Sequence, residues 1–495
     1  MPQAPHQDVP PAPITHSHVS RSLLWVVSEK GSITGISLIS VALLARQLSP
    51  EQMGVAAVGL TLVQILAALI GGPLHDAVIQ RRDCQPIDIA TAFWLATGCG
   101  VLVAALGFLW APALGHAFGD PRVGEVYAWM GLSLIAAGAE AGLAAPLRRA
   151  LHFRPIATCA MASRCAAAAV AVGMAFAGYG VWSLVAQQLV AASVGAVLLA
   201  FAVPSLPGFR FSRLSARWQL RYIVPTLGAA VLFNLQARIV ILFVGQAFGA
   251  TVLGYVHVAQ RVVQAFSDFA SAASYQLVLP LMARHQGDSG ALANGFRRAT
   301  GLFTAAVLPL LIGIAAVAPD VIGIAFGAAW QPAVLPLQLL ALSLAFGFIR
   351  HPGGMVFQAA GRPGYNFAST CVTFAVTLGG LLAFGHLSLT WTLAVLVLRP
   401  IVTLPLGGWL LRRITGLGLA AQLQPACGPF VASAAMAAVL FAMTPLLVGW
   451  PPTARLATLV ALGAAVYLPL LRLFAPATVK EGEMLARSAL RPAAP

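Results

Sequence analysis

The sequence predicts an all-α polytopic membrane protein: about fourteen transmembrane helices, in two pseudo-symmetric six-helix bundles (a parallel repeat) plus two peripheral helices. Three observations lead there. Of 495 residues, 59% are hydrophobic and only 9% charged, against about 25% charged in a soluble globular domain. The apolar residues fall into runs long enough to cross hydrocarbon. Short motifs recur at a nearly constant offset along the chain.

A mean hydropathy of +0.86 is too high for one water-soluble core, so lipid must solvate most of the chain. A spanning helix needs about 20 apolar residues. That ruler places spans near 22–46, 52–74, 90–111, 124–147, 156–177, 181–203, 221–247, 251–282, 299–318, 334–358, 364–384, 390–411, 427–448 and 454–474. The connections at 178–180 and 385–389 are short enough to force tight hairpins.

Every second connection is basic. Arg81 and Arg82 come first, then Arg148, Arg149 and Arg154, then Arg210, Arg213, Arg217 and Arg221. Arg284, Arg297 and Arg298 follow, then Arg362, then Arg412 and Arg413. The intervening connections hold chiefly Arg46, Arg122 and Arg455. Positive loops stay cytoplasmic, so both termini are expected inside. The net charge of +15 is scattered in this way between spans. A nucleic-acid reader would gather it on one face, so no nucleic-acid partner is expected.

The repeat sits at equivalent turns. Leu48-Ser-Pro-Glu-Gln-Met-Gly54, followed by Gln64, parallels Phe248-Gly-Ala-Thr-Val-Leu-Gly254, followed by Gln264. Leu114 to Gly119 parallels Ile322 to Gly327; Phe153-Arg-Pro155 parallels Gly361-Arg-Pro363; Trp182-Ser-Leu parallels Trp391-Thr-Leu. Six spans is an even number, so both copies run the same way across the bilayer, with a pseudo-two-fold axis along the membrane normal. The expected organisation is a disordered cytoplasmic tail at 1–20, bundles at 21–218 and 219–413, two extra spans within 414–475, and a second tail at 476–495. His6, His16 and His18 fall in the Pro-rich first tail, which lacks a signal-peptide pattern. The six cysteines, Cys84, Cys99, Cys159, Cys165, Cys371 and Cys427, show no CxxC spacing and mostly occupy apolar runs. They read as small packing residues, with no metal site.

Ionisable residues inside predicted spans each cost roughly 2.5–3.5 kcal/mol at mid-helix. The cations are Lys30, Arg164, Arg238, Arg261, Arg350 and Arg399; the acids are Glu29, Glu140 and Asp268. Six cations against three acids leave about three positive charges without a partner, which is expensive in a buried setting. A wet, cationic cavity is expected where an anion passes, and the planar guanidinium fork suits phosphate. Span eight carries His257, Gln260, Arg261, Gln264 and Asp268 on one helical stripe; Asn234 and Arg238 in span seven are spaced by four. Lys30, Arg164, Asn234, Arg238, Arg261, Gln264, Arg350 and Arg399 are therefore candidate substrate-binding residues of one central cavity. Glu29, Glu140 and Asp268 are candidates for ion coupling on depth alone.

At this point a family likeness emerges. Ala45-Arg46-Gln-Leu-Ser-Pro50-Glu-Gln-Met-Gly54 resembles the ARxLxPxxxG turn after the first span of polysaccharide transporters. The segment Ala77 to Asp83 with Ala92-Phe-Trp94, the hairpin Gly178-Tyr-Gly180-Val-Trp182-Ser-Leu, Leu253-Gly-Tyr255 with Ala259, and Phe326-Gly327 through Trp330 are similar to that family too. It is the Wzx-type oligosaccharide flippase family of the multidrug, oligosaccharidyl-lipid and polysaccharide exporter superfamily. The likeness covers roughly residues 20–420. It implies a flippase of the bacterial inner membrane, moving undecaprenyl-diphosphate-linked oligosaccharide by alternating access for O-antigen, capsule or exopolysaccharide synthesis. It implies no cofactor; a polysaccharide polymerase and a chain-length regulator would be working partners. The Pro-rich tail and a total of two lysines, Lys30 and Lys480, depart from the family pattern.

Other readings fit less well. A major-facilitator protein would carry GxxxDRxGRR after span two, but Ala77 and Ile79 stand at its Arg and Gly. A drug antiporter of the same superfamily would want an acidic cavity; a lipid II flippase stays open. A membrane polysaccharide polymerase would need a large outer loop, and the outer connections reach about fifteen residues. HExxH, Walker and GxSxG motifs are all missing from the sequence, so no catalytic residue is assigned and no enzyme is expected.

Overall fold

A computed structural model describes residues 31, 33–71, 78, 81, 83–283 and 288–490, with 225, 226, 229, 269–283 and 485–490 described by backbone alone. The described chain is helical, without strands, and twelve of its helices are long and apolar enough to cross a membrane. One of the twelve holds two predicted spans, and the first predicted span adds the shorter apolar helix Ile33–Ala45. All fourteen runs are therefore helical where they are described.

In chain order the helices are α1 (Ile33–Ala45), α2 (Pro50–Ile70), α3 (Pro86–Ala117), α4 (Pro121–Arg149), α5 (Phe153–Phe176) and α6 (Trp182–Ala202). The 71-residue helix Arg213–Ala283 follows. It divides at Gly249, where φ is +79°, into α7 (213–248) and α8 (250–283). Then come α9 (Ser289–Ala316), α10 (Ala328–Ala359), α11 (Pro363–Gly385), α12 (Leu389–Thr415), α13 (Leu419–Leu447), α14 (Pro452–Phe474) and α15 (Pro476–Leu490). A short helix, Ala318–Ala325, precedes α10.

Local chemistry sets the turns. The Ser49 hydroxyl accepts from the Gln52 amide at 3.3 Å while the Gln52 side chain accepts from the Ser49 amide at 3.2 Å. This capping box, with Pro50 at the first helical position, starts α2. In the second repeat the equivalent turn is Gly249, whose positive φ only glycine adopts without strain. That residue reverses the chain: a Cβ on Gly245 would sit 3.1 Å from Leu253 Cδ2, a neighbour that a straight helix could not provide at eight residues' separation. Gly119 and Gly327, the repeat partners two turns later, both have positive φ (+69° and +98°).

Apolar residues of both halves share cores. Val58 and Leu134 of the first half pack in one cluster with Val244 and Leu396 of the second. Ala171 of α5 belongs to another cluster with Ile314, Trp330 and Leu337. At the α1–α2 and α7–α8 turns the halves cross: a Cβ on Gly54 would overlap the Ala250 carbonyl, and a Cβ on Gly254 the Pro50 carbonyl. The last two spans dock on the second half. Tyr467 of α14 donates to the Ala305 carbonyl of α9 at 2.7 Å, and Arg455 forms an ion pair with buried Asp320. Large apolar side chains such as Leu109, Phe201 and Leu468 are exposed around the girth, where lipid tails would solvate them.

Candidate functional site

A cavity of about 210 Å³ lies between the halves. One wall is Ser37 and Val41 of α1 with Met53 and Gln64 of α2. A second is Arg164 of α5 with Gln187 and Gln188 of α6. The third is the polar stripe of α8: His257, Arg261, Gln264 and Asp268. The Gly54–Gly254 crossing closes one end, since His257 begins the stripe one turn from Gly254.

The stripe is wired internally. Gln264 donates to Asp268 Oδ1 at 2.8 Å, and Arg261 Nε reaches His257 Nε2 at 3.5 Å. Arg238 of α7 donates to Gln64 Oε1. Gln187 donates to the Ser40 hydroxyl at 2.8 Å and Gln188 to that of Ser133 at 3.2 Å. Arg261 lies within electrostatic reach of Arg164, Arg238 and Asp268, so three guanidinium groups share this region with one carboxylate among the described residues. Two polar atoms of this cluster, Arg238 Nε and His257 Nδ1, are buried without a hydrogen-bond partner among the described residues. Leaving such a group unsatisfied costs about 1–3 kcal/mol.

The structure places the sequence candidates unevenly. Arg164, Arg261, Gln264 and Asp268 line this cavity, and Arg238 stands beside it. Asn234 donates to the Ala230 carbonyl of its own helix at 2.9 Å. Glu140 faces α5 and α6: a Cβ on Gly195 would meet its carboxylate at 3.4 Å. Lys30 and Glu29 lie outside the described residues. Arg350 and Arg399 line a different chamber inside the second half, with none of the central cavity's residues. The expected single lumen for all these cations is thus replaced by two. Helical periodicity assigns a face to each arginine but not the neighbour that face meets, so the sequence alone does not separate α10 and α12 from α8.

Some residues at the crossing escaped the sequence reading. Arg46 Nη2 donates to the Ile324 carbonyl at 2.6 Å, and Trp330 Nε1 to the Ala45 carbonyl at 2.7 Å. Both bonds join the two halves. Arg46 and Trp330 belong to the family motifs, yet a carbonyl acceptor has no side-chain signature to reveal the pairing.

Two six-helix halves crossed at one face, with a guanidinium-lined cavity between them, are the setting for the comparisons. A family model described as polysaccharide biosynthesis protein matches residues 43–335. The chain belongs to that family. It is a polysaccharide transporter of the multidrug, oligosaccharidyl-lipid and polysaccharide exporter superfamily. Curated relatives in this family include the succinoglycan biosynthesis transport protein ExoT of Rhizobium meliloti (strain 1021), 27% identical over 326 residues, which are 66% of either chain. The teichuronic acid biosynthesis protein TuaB of Bacillus subtilis (strain 168) is 24% identical across 90% of this chain and 94% of its own. The lipopolysaccharide biosynthesis protein WzxC of Escherichia coli (strain K12) is 22% identical across 72% and 74%. The fold is similar to that of the lipid II flippase MurJ in an inward closed conformation, with a TM-score of 0.75 at 13% identity over 92% of this chain and 99% of that one. An inward-facing MATE family transporter follows at 0.53 and 15%, over 86% and 96%. At those identities the likeness concerns the fold alone.

Proposed function

We propose that the chain is a flippase moving an undecaprenyl-diphosphate-linked oligosaccharide across the bacterial inner membrane, with both termini cytoplasmic. The observation that carries this reading is the grouping of Arg164, Arg238 and Arg261 with one acid among the described residues, Asp268, at a cavity between the halves. A diphosphate offers the acceptors that this cluster lacks, in the geometry a guanidinium fork grips. The polyprenyl tail would stay in the bilayer while the sugar crosses the wet interior.

At about 210 Å³ the cavity is smaller than the roughly 300–1,000 Å³ of ordinary small-molecule sites. A multi-sugar headgroup therefore enters only when the halves part. The positive-inside pattern puts the Gly54–Gly254 crossing on the periplasmic face, so cargo would load from the cytoplasmic side. A polysaccharide polymerase and a chain-length regulator would act on the product. Asp268, bonded to Gln264, is a candidate for coupling to a cation gradient. The sequence also left open a lipid II flippase, a small-molecule antiporter and a polymerase; the acid-poor cavity argues against cationic drugs.

The test is translocation in proteoliposomes by wild type and Arg261→Gln, with a short undecaprenyl-diphosphate oligosaccharide, lipid II, or a cationic drug. Movement of the oligosaccharide lipid, slowed by about tenfold or more on loss of the charged hydrogen bonds, is expected. Equal rates in the variant, or movement of the drug alone, would overturn the proposal.

A further inference from the structure

The chamber within the second half has a volume of about 660 Å³, well inside the range of small-molecule sites. Among the described residues its lining contains no Asp or Glu, yet it holds two guanidinium groups, Arg350 and Arg399, close enough to act on each other electrostatically. We propose that this chamber is a second anion site, separate from the central cavity, that takes a phosphate-bearing group.

Three helices supply most of its lining, with Phe233 and Gln236 of α7, Phe296 of α9 and Gln422 of α13 completing it. Along α12, Arg399, Thr403, Gly407 and Leu411 recur every four residues and form one face. Along α11, Asn366, Ser369, Thr370 and Thr373 form a polar stripe opposite. α10 is interrupted at Arg350, between Ile349 and His351. There Arg350 Nη1 donates to the Thr403 hydroxyl at 2.5 Å, which in turn donates to the Arg399 carbonyl at 3.0 Å. The guanidinium of Arg350 rests against Gly407, where any Cβ would collide with it. Arg350 is thus held in one orientation, with further N–H groups to offer. The Arg399 side chain makes no hydrogen bond or ion pair with any described residue. A fixed donor beside an unpaired one, in surroundings without a carboxylate, suits an acceptor with several oxygens.

The repeat itself supports the assignment. At the offset of 208, Arg350 corresponds to Gly142 in α4, where a Cβ would lie 2.6 Å from Phe93 Cα. At 209, Arg399 corresponds to Val190 of α6. At these two positions the first half therefore carries a tightly packed glycine and an uncharged valine where the second carries arginines. An approach exists as well. Arg362 donates to the Tyr365 hydroxyl at 3.2 Å, next to the lining residue Asn366, and Arg413 reaches the same tyrosine. From Arg413 to Arg399 along α12 is about 21 Å at helical rise, with Arg350 between them: a ladder of guanidinium groups running inward from the end of the helix.

The inference does not depend on the lipid-linked cargo, and its test separates the two. Purified full-length protein is titrated calorimetrically with inorganic pyrophosphate, and in nanodiscs with dioleoyl phosphatidate read by native mass spectrometry, for wild type, Arg399→Gln, Arg399→Lys and Arg261→Gln. Loss by about tenfold of one class of pyrophosphate site in Arg399→Gln, a class that Arg261→Gln retains, assigns the site to a soluble anion. The same pattern with phosphatidate alone assigns it to a lipid headgroup. Binding that is equal in Arg399→Gln and wild type for both probes overturns the proposal. Should Arg399→Gln fail to fold, Ser369→Cys on a background without native cysteines gives a second reading. An anionic methanethiosulfonate should modify it faster than a cationic one, and pyrophosphate should protect it; the reverse order overturns the site.

Discussion

Gly54 and Gly254 stand at the same position of the two repeats, and each is pressed against the other's backbone: Gly54 on the Ala250 carbonyl, Gly254 on the Pro50 carbonyl. The contact is reciprocal, as a two-fold axis passing between them requires. Side chains are excluded on both sides, so the halves meet main chain to main chain. Gly54→Ala or Gly254→Ala should wedge this face apart, an overpacking penalty of about 1–3 kcal/mol. Thiol labelling of Met53→Cys, just inside the crossing, should rise in either variant; unchanged labelling would mean that the crossing does not hold this face shut.

Arg46 and Trp330 latch the same face with bonds to the Ile324 and Ala45 carbonyls. Each bond is worth about 1 kcal/mol net, and Arg46 also lies favourably at the C-terminus of the helix Ala318–Ala325. Arg46→Ala and Trp330→Phe should each shift the population toward a state open at this face. The expected change is about five- to tenfold in the open-to-closed ratio, measured by distances between spin labels on α2 and α8. A population indistinguishable from wild type in both variants would remove these bonds from the gate.

Asp120 offers a pH prediction. The hydrogen bond from Arg122 holds its carboxyl below the ordinary aspartate range, and Arg122 also pairs with Glu51. A lowered folded-state pKa means that any stabilisation is present above the unfolded value and disappears only as pH falls through the lowered one. The Asp120–Arg122 contact at the start of α4 should therefore be constant from about pH 8 to pH 5. Cross-linking of Glu51→Cys to Arg122→Cys cannot test this, since it removes the charges. Proton-exchange rates of the α4 amides across that range can, and a loss of protection near neutral pH would refute it.

Asp320 and Arg455 form a buried pair that ties α14 to the second half, with side-chain exposures of 2% and 23%. Removing one partner leaves the other unpaired, about 3–5 kcal/mol in a buried setting. Arg455→Met should lower the detergent-solubilised melting temperature strongly. The double variant Asp320→Leu with Arg455→Met should recover most of it. Equal melting of the single variant and wild type would show that the pair contributes little to docking.

Much of this was legible beforehand, and the reasons are specific. Hydrocarbon thickness dictates run length, so the spans could be read from hydropathy. The Ser49–Gln52 capping box and the positive φ of Gly119 and Gly327 are turn chemistry, which short motifs encode. Partner choice was not legible. Where lipid and protein interior are both apolar, periodicity does not say which face of α12 meets α10 and which meets lipid. Periodicity alone therefore does not separate Arg350 and Arg399 from Arg261. Asp320 and Arg455, 135 residues apart, belong to helices whose adjacency only the fold reveals.

The one-residue joint at Gly249 bears on biogenesis. With no loop between α7 and α8, the two helices enter the bilayer as a single hairpin, bringing Arg238 and Arg261 in together. A lone helix would face a penalty of roughly 2.5–3.5 kcal/mol for each such charge at mid-depth. Arriving as a pair with His257 and Gln264, they can share water from the outset. Insertion of the second repeat is thereby tied to the residues that its finished interior keeps wet.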